Sequence, residues 1–158
     1  LSSTTEGKAR VVGISMKGRS AVLPVGQKPT AAVFYDSVAR SMTTSTYYAP
    51  KSRLPDWFRD FNRANPVEPL LQAWEPEDPI RWEQHFGPDA REGEMYPAFP
   101  HDPREAGDPY YAFAGTPESS EYLLAAAYAV VKAERMGIDE VPDFLALSVS
   151  GTDIVGHI

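Results

Sequence analysis

Two residues near the carboxyl end of the chain, Asp153 and His157, carry side chains that commonly bind zinc. They lie four positions apart, so a helical turn would place both on one side of the backbone, where they can bind one cation. Spacing alone leaves a second interpretation open, because an ordinary acidic residue in a first helical turn and an ordinary loop histidine show the same pattern. The sequence therefore predicts a candidate metal site to which this chain supplies two ligands.

A second pair of charged residues, Lys17 and Arg19, flanks a glycine near the amino end of the chain. An arginine fork and a lysine point charge are both suited to the oxygens of a phosphate group. Two solvated charges on a turn would have the same spacing, so this alternative also stays open. The chemistry that this pair predicts is the binding of a small anion.

Each charged pair follows a short apolar run that predicts a β-strand. Residues 9–15 precede Lys17, and residues 143–149 precede Asp153. Apolar side chains at successive positions are typical of strands that are buried on both faces of a parallel sheet. Ligands of open α/β sheets bind beyond the carboxyl ends of the strands. If the two strands are parallel neighbours, both charged pairs lie at the same edge of the sheet.

The remaining segments predict an α/β fold with an excursion between the two strands. Helices are predicted over residues 55–65, 67–71 and 116–137, an antiparallel hairpin over 31–36 and 40–48, and a turn or short helix over 20–25. Residues 72–115 show no clear periodicity but are rich in aromatic residues, which is typical of an ordered lobe rather than a disordered linker. We assign the inserted lobe to about 30–115. His85 and His101, which lie within it, have no partner at ligand spacing and are interpreted as surface or packing residues.

The bulk composition narrows the class of protein. The chain has 158 residues, 42% of them hydrophobic and 23% charged, which is typical of a globular domain. A net charge of -7 argues against a nucleic-acid binder, and no run approaches the length of a membrane span. Cysteine is absent, which excludes disulfides and thiolate metal sites within the chain. Since Leu1 rather than methionine opens the chain, we expect a processed or excised segment.

Three stretches resemble the alkaline phosphatase superfamily, and within it the phosphate-irrepressible alkaline phosphatases of the PafA type, which are related to nucleotide pyrophosphatases/phosphodiesterases. They are TEGKARVVGISMKGRSAVLPVG at 5–26, FAGTPESSEYLLAAAYAVVKAERMG at 113–137 and DFLALSVSGTDIVGHI at 143–158. The resemblance covers essentially the whole chain. It implies that residues 1–158 are an internal segment of one catalytic domain with a three-layer sandwich fold.

The resemblance also implies roles for the four charged residues. Lys17 and Arg19 match the pair that contacts the oxygens of the transferred phosphoryl group. Asp153 and His157 match two of the three ligands of one zinc ion in a two-zinc site. The family's nucleophile, a threonine or serine, and its remaining zinc ligands lie outside the matching segment, so we expect the chain alone to be inactive.

The expected function of the complete protein is the hydrolysis of phosphate monoesters through a covalent phospho-enzyme. The two positive charges of Lys17 and Arg19 favour a dianionic monoester over a monoanionic diester. A nucleotide pyrophosphatase or phosphodiesterase is the alternative within the superfamily, and a non-catalytic binding or structural fragment is the alternative outside it. The resemblance further implies a periplasmic or secreted location. We also expect other segments of the enzyme, or other copies, to cover exposed sheet edges.

Overall fold

The computed structural model describes residues 1–48, 55–86 and 99–156, which form one four-stranded sheet with helices on both faces. The strands, in the spatial order β3-β2-β1-β4, are β1 (Val11–Ser15), β2 (Ala31–Asp36), β3 (Ser41–Thr43) and β4 (Phe144–Ser148). Strand β1 runs parallel to both of its neighbours, and β3 pairs antiparallel with β2. The predicted hairpin therefore extends the main sheet, which has three parallel strands where the sequence indicated two.

Six α-helices connect and cover the strands of the described chain. They are α1 (Gly18–Val22), α2 (Asp56–Ala64), α3 (Pro79–Phe86), α4 (Pro109–Phe113), α5 (Pro117–Ala133) and α6 (Gly151–Val155). Short 3-10 turns follow α1 at Leu23–Val25, follow α2 at Glu68–Leu70 and precede α4 at Pro103–Glu105. Within the described ranges, no helix combines the length and the apolar character that a bilayer crossing needs.

Alternate side chains of β1 enter two separate hydrophobic clusters, one on each face of the sheet. Val12 and Ile14 pack with residues of α2 and α5 on one face. Val11 packs on the other face with a smaller cluster that includes Val25. This alternation follows from the two-residue period of a strand, and it gives a sheet between two helical layers. The structure thus confirms the predicted α/β class.

The two strands predicted to be buried on both faces differ in the structure. All five residues of β1 are buried, as the apolar run indicated. Strand β4 pairs with β1 alone among the described strands, and its first residue, Phe144, is 42% exposed while the other four are half-buried. The prediction of full burial is wrong for β4, because an apolar run reports the environment that a strand suits and not whether this chain provides it.

The long helix begins where the sequence predicts and ends earlier. Thr116 caps α5, since its Oγ1 accepts a hydrogen bond from the Ser119 N–H at 3.3 Å. The predicted end was Gly137, but the helix stops at Ala133. Arg135 adopts a left-handed conformation (φ 54°), and the Met136 N–H donates to the Val131 carbonyl at 3.0 Å. This is the Schellman arrangement, in which an arginine holds the position that usually favours glycine.

The described part of residues 72–115 contains two helices, α3 and α4, that sequence reasoning missed. The side chains of α3 that the structure describes are exposed, so α3 has no buried apolar stripe to reveal it, and the five residues of α4 are too few for a periodic pattern. His85 is exposed and its Nδ1 lies 2.9 Å from the Arg81 carbonyl. His101 is buried and stacks on Phe99 with ring centroids 3.8 Å apart. The predicted surface and packing roles of these two histidines are confirmed.

Tyr35 and Tyr122 place two hydroxyl groups inside the main hydrophobic cluster. Burial raises the pKa of Tyr35, and it raises the pKa of Tyr122 to about 12. The Tyr35 hydroxyl donates to the Tyr110 carbonyl at 2.9 Å. The Tyr122 hydroxyl is buried and has no described partner at hydrogen-bond geometry. The nearby backbone of Met42 lowers the pKa of Tyr122 and so offsets part of the rise that burial causes.

We predict opposite effects for the two phenylalanine variants. Y35F leaves the Tyr110 carbonyl without its donor and should lower the free energy of unfolding by about 1 kcal/mol, whereas Y122F removes an unsatisfied group and should raise it by about 1 kcal/mol. Because burial raises the folded-state pKa of Tyr122, the wild type should lose stability as the pH rises from 10 toward 12, and Y122F should not show this part of the loss. Urea unfolding of the complete protein at pH 7 and pH 11 measures both effects. Equal losses from the two variants at pH 7 would contradict this assignment.

Candidate functional site

The parallel pairing of β1 with β4 brings the amino-terminal and carboxyl-terminal charged residues together. The two strands are in register over their full length, so Ser15 and Ser148 end them side by side. The turns that follow therefore lie at the same edge of the sheet. There, Lys17 Nζ forms an ion pair with Asp153 Oδ2. The expectation that these residues share one edge is confirmed, although they are 136 positions apart.

Lys17 occupies the turn between β1 and α1. Its backbone is extended (φ -113°, ψ 129°), its N–H donates to the Ser15 hydroxyl at 3.1 Å, and its carbonyl accepts from the Ala21 N–H at 3.2 Å. The side chain of Lys17 is 34% exposed and that of Asp153 is 58% exposed. Water and salt screen such a pair, so it orients the two groups more than it stabilises the fold.

Arg19 lies in the first turn of α1, two residues after Lys17, and is exposed. Among the residues that the structure describes, it forms no ion pair with an acidic side chain. A guanidinium group in this state can bind an anion without first breaking an internal contact. The turn thus presents one cation that is held by Asp153 and a second cation that faces solvent.

Asp153 lies in α6, the single helical turn that follows β4. The helix is anchored by Ile154, which is buried and whose N–H donates to the Ser150 carbonyl at 2.9 Å. This anchoring leaves Asp153 at the accessible side of the turn, next to Lys17. His157 lies outside the described residues, so the predicted pairing of Asp153 with His157 stays a prediction.

The carboxylate of Asp153 is chemically suited to a zinc ion, since carboxylate oxygens are regular zinc ligands. Within residues 1–48, 55–86 and 99–156, no three histidine or acidic side chains converge as a metal site would require. A metal ion bound by Asp153 would therefore take its other ligands from outside the described residues.

The sequence predicted no role for three serines that lie at the strand ends. Ser15 and Ser150 are buried, and the hydroxyls of Ser148 and Ser150 lie 3.4 Å apart. The Ser15 hydroxyl bonds to the Lys17 N–H and to the Ser148 carbonyl. A small polar residue at the end of each apolar run was the available signal, but its partner depends on strand pairing, which spacing does not reveal.

The cationic turn and the acidic turn follow two paired parallel strands, at the carboxyl edge of the sheet where ligands of open α/β folds bind. No family model matches the chain. Three curated relatives match it over 99% of its length. Alkaline phosphatase PafA of Elizabethkingia meningoseptica is 32% identical over 173 positions, and alkaline phosphatase PhoV of Synechococcus elongatus is 33% identical over 165. A protein of Myroides odoratus named calcium-transporting ATPase is 32% identical over 170. The chain spans 30% of the length of each relative.

Solved structures show the same relationship. The crystal structure of wild-type alkaline phosphatase PafA superposes with a TM-score of 0.83 at 32% identity, covering 99% of this chain and 31% of that one. A PafA variant with four substitutions gives a TM-score of 0.84 at 31% identity, covering 99% and 32%. The resemblance to the PafA-type alkaline phosphatases is therefore confirmed, and the chain corresponds to a segment of these proteins.

Proposed function

We propose that this chain is a segment of a zinc-dependent alkaline phosphatase that hydrolyses phosphate monoesters through a covalent phospho-enzyme. The observation that carries the proposal is the cationic turn of Lys17 and Arg19 beside Asp153 at the carboxyl edge of the parallel strands. The nucleophile and the remaining zinc ligands would come from outside the chain. The chain alone is then expected to be inactive.

The solved structures add support for the cationic turn. The four-substitution PafA variant has a lysine and an arginine two positions apart, both replaced by alanine. Lys17 and Arg19 have the same spacing within a chain that matches PafA over nearly its whole length. We assign these two residues to the binding of the transferred phosphoryl group.

The chemistry of each group follows from its charge and position. Lys17 and Arg19 would neutralise non-bridging oxygens of the phosphoryl group as charge redistributes during transfer. Asp153, together with His157, would hold one of two zinc ions. Bound zinc supplies a Lewis acid and lowers the pKa of coordinated water. The contact between Lys17 and Asp153 keeps the ammonium group beside the carboxylate, so the cation and the metal ligand are oriented by one ion pair.

A preference for monoesters over diesters follows from the charge of the turn. A dianionic monoester interacts with two positive groups more strongly than a monoanionic diester of the same size. Nucleotide pyrophosphatase or phosphodiesterase activity is the alternative at the same site. We predict that the complete protein hydrolyses an aryl phosphate with at least about 100-fold higher kcat/KM than the matching methyl aryl phosphate, corresponding to about 3 kcal/mol.

Steady-state kinetics with these two substrates tests the proposal. The leaving group is the same in both, so the ratio reports the charge of the transferred group. A ratio below one would favour the diesterase, and hydrolysis of neither substrate would favour a non-catalytic binding module. Removing zinc with a chelator should abolish turnover, and adding zinc should restore it.

The proposal also covers the location of the protein and its partners. A periplasmic or secreted location fits a cysteine-free segment of this family. The unpaired side of β4 and the exposed Phe144 and Val149 would be covered by other segments of the same enzyme or by other copies. The substrate is a phosphate monoester, and we propose no nucleic-acid partner and no membrane span within this segment.

A further inference from the structure

Ser15, the last residue of β1, forms hydrogen bonds on both sides of the contact between the two charged turns. Its side chain is fully buried, with 0% exposure. Its hydroxyl donates to the Ser148 carbonyl at 3.1 Å, at the end of β4. The same oxygen accepts from the Lys17 N–H at 3.1 Å. One hydroxyl thus bonds the segment that carries Lys17 to the segment that leads to Asp153.

Ser150 adds a third contact to this hydroxyl. Its Oγ lies 3.4 Å from Ser15 Oγ. Since the Ser15 hydroxyl has a lone pair left after these two bonds, it can accept the Ser150 proton in this contact. Ser150 also holds the position before α6 and makes no side-chain capping bond there. Its hydroxyl lies 3.4 Å from the hydroxyls of both Ser15 and Ser148, so its side-chain contacts are with the strand ends and not with the helix that carries Asp153.

We infer that Ser15 is a positioning residue that holds the Lys17 turn against the Asp153 turn and so sets the preference for dianionic phosphate esters. The inference rests on the proposed function. All three of its partners belong to the strand ends or turns of the site, and none belongs to the hydrophobic clusters. Loss of the hydroxyl leaves the Lys17 N–H and the Ser150 hydroxyl without this acceptor, so the turn is free to shift. A shift of about 1 Å in a phosphate-binding group can change rates by about 100-fold.

The test is S15A in the complete protein, assayed with an aryl phosphate and its methyl ester. We expect kcat/KM for the monoester to fall by about 10-fold or more and that for the diester to fall by less than about 3-fold. Binding of inorganic phosphate, measured by calorimetry, should weaken by a similar factor of about 10. The matched control is S119A, which removes an equally buried and hydrogen-bonded serine hydroxyl from the first turn of α5 and should leave the substrate ratio unchanged.

Equal losses for both substrates in S15A would overturn the inference, because a general structural defect does not distinguish ester charge. If S15A does not fold, S15T supplies the second measurement: it keeps the hydroxyl and should retain the wild-type ratio, and loss of that ratio overturns the inference. A wild-type protein without monoesterase activity would refute the proposed function instead. Phosphate binding by S15A and wild type would then still decide the role of Ser15, since unchanged affinity would overturn it.

Discussion

Replacing Arg19 or Lys17 with alanine is expected to lower kcat/KM for an aryl phosphate by about 10²–10³-fold. Each variant removes one positive group that stabilises the negative charge on the phosphoryl oxygens in the transition state. The loss for a methyl aryl phosphate should be about 10-fold, since the diester carries one negative charge less. Arg19 is exposed and makes no ion pair with any described residue, so R19A should leave the fold intact. Steady-state kinetics of the complete protein with both substrates measures the two losses.

A matched control for this experiment is R10A. Arg10 is also a partly exposed cation, but it precedes β1, at the opposite end of the strand, and lies 3.8 Å from Glu134. Its removal should change neither rate, apart from the small stability effect of a surface ion pair. If monoester turnover by R19A were unchanged while diester turnover fell, the role assigned to Lys17 and Arg19 would be wrong.

Replacing Gly13 with alanine is expected to destabilise the protein by about 3 kcal/mol, a large part of the stability of a typical domain. Gly13 lies in the middle of β1, where α1 packs closely on the sheet. An added Cβ would lie 2.0 Å from the Ala21 carbonyl oxygen and 2.9 Å from the Val25 side chain. Backbone atoms cannot yield as a flexible side chain does, so α1 must move away from β1. Because α1 carries Arg19, monoesterase activity should fall as well.

Chemical denaturation of G13A against wild type measures the loss of stability. G107A is the control, because an added Cβ at Gly107 meets no atom within 4 Å and its backbone φ is not in the left-handed region. The free energy of unfolding of G107A should stay within about 0.5 kcal/mol of wild type. Wild-type stability in G13A would show that α1 does not pack on β1 as the structure describes.

Local patterns were sufficient to predict the position of several elements and the pairing of two strands that are close in the chain. The apolar run of β1, the start of the long helix at residue 116 and the antiparallel pairing of β2 with β3 were all predicted correctly. Elements without a buried stripe, such as α3, left no periodic signal. The end of α5 was misplaced because Arg135 adopts a conformation that residue type alone assigns to glycine.

The sequence by itself determined which side chains are available for chemistry and how they are spaced: a lysine and an arginine around a glycine, an aspartate four residues before a histidine, and an apolar run before each pair. The tertiary structure decided that Lys17 and Asp153 meet, that Ser15 joins their turns, and that β4 has one strand neighbour in the described chain. The physical reason is that residue types and short spacings can be read directly from neighbouring positions in the sequence. Contacts between β1 and β4 depend instead on parallel pairing across more than 100 positions, which local patterns do not encode.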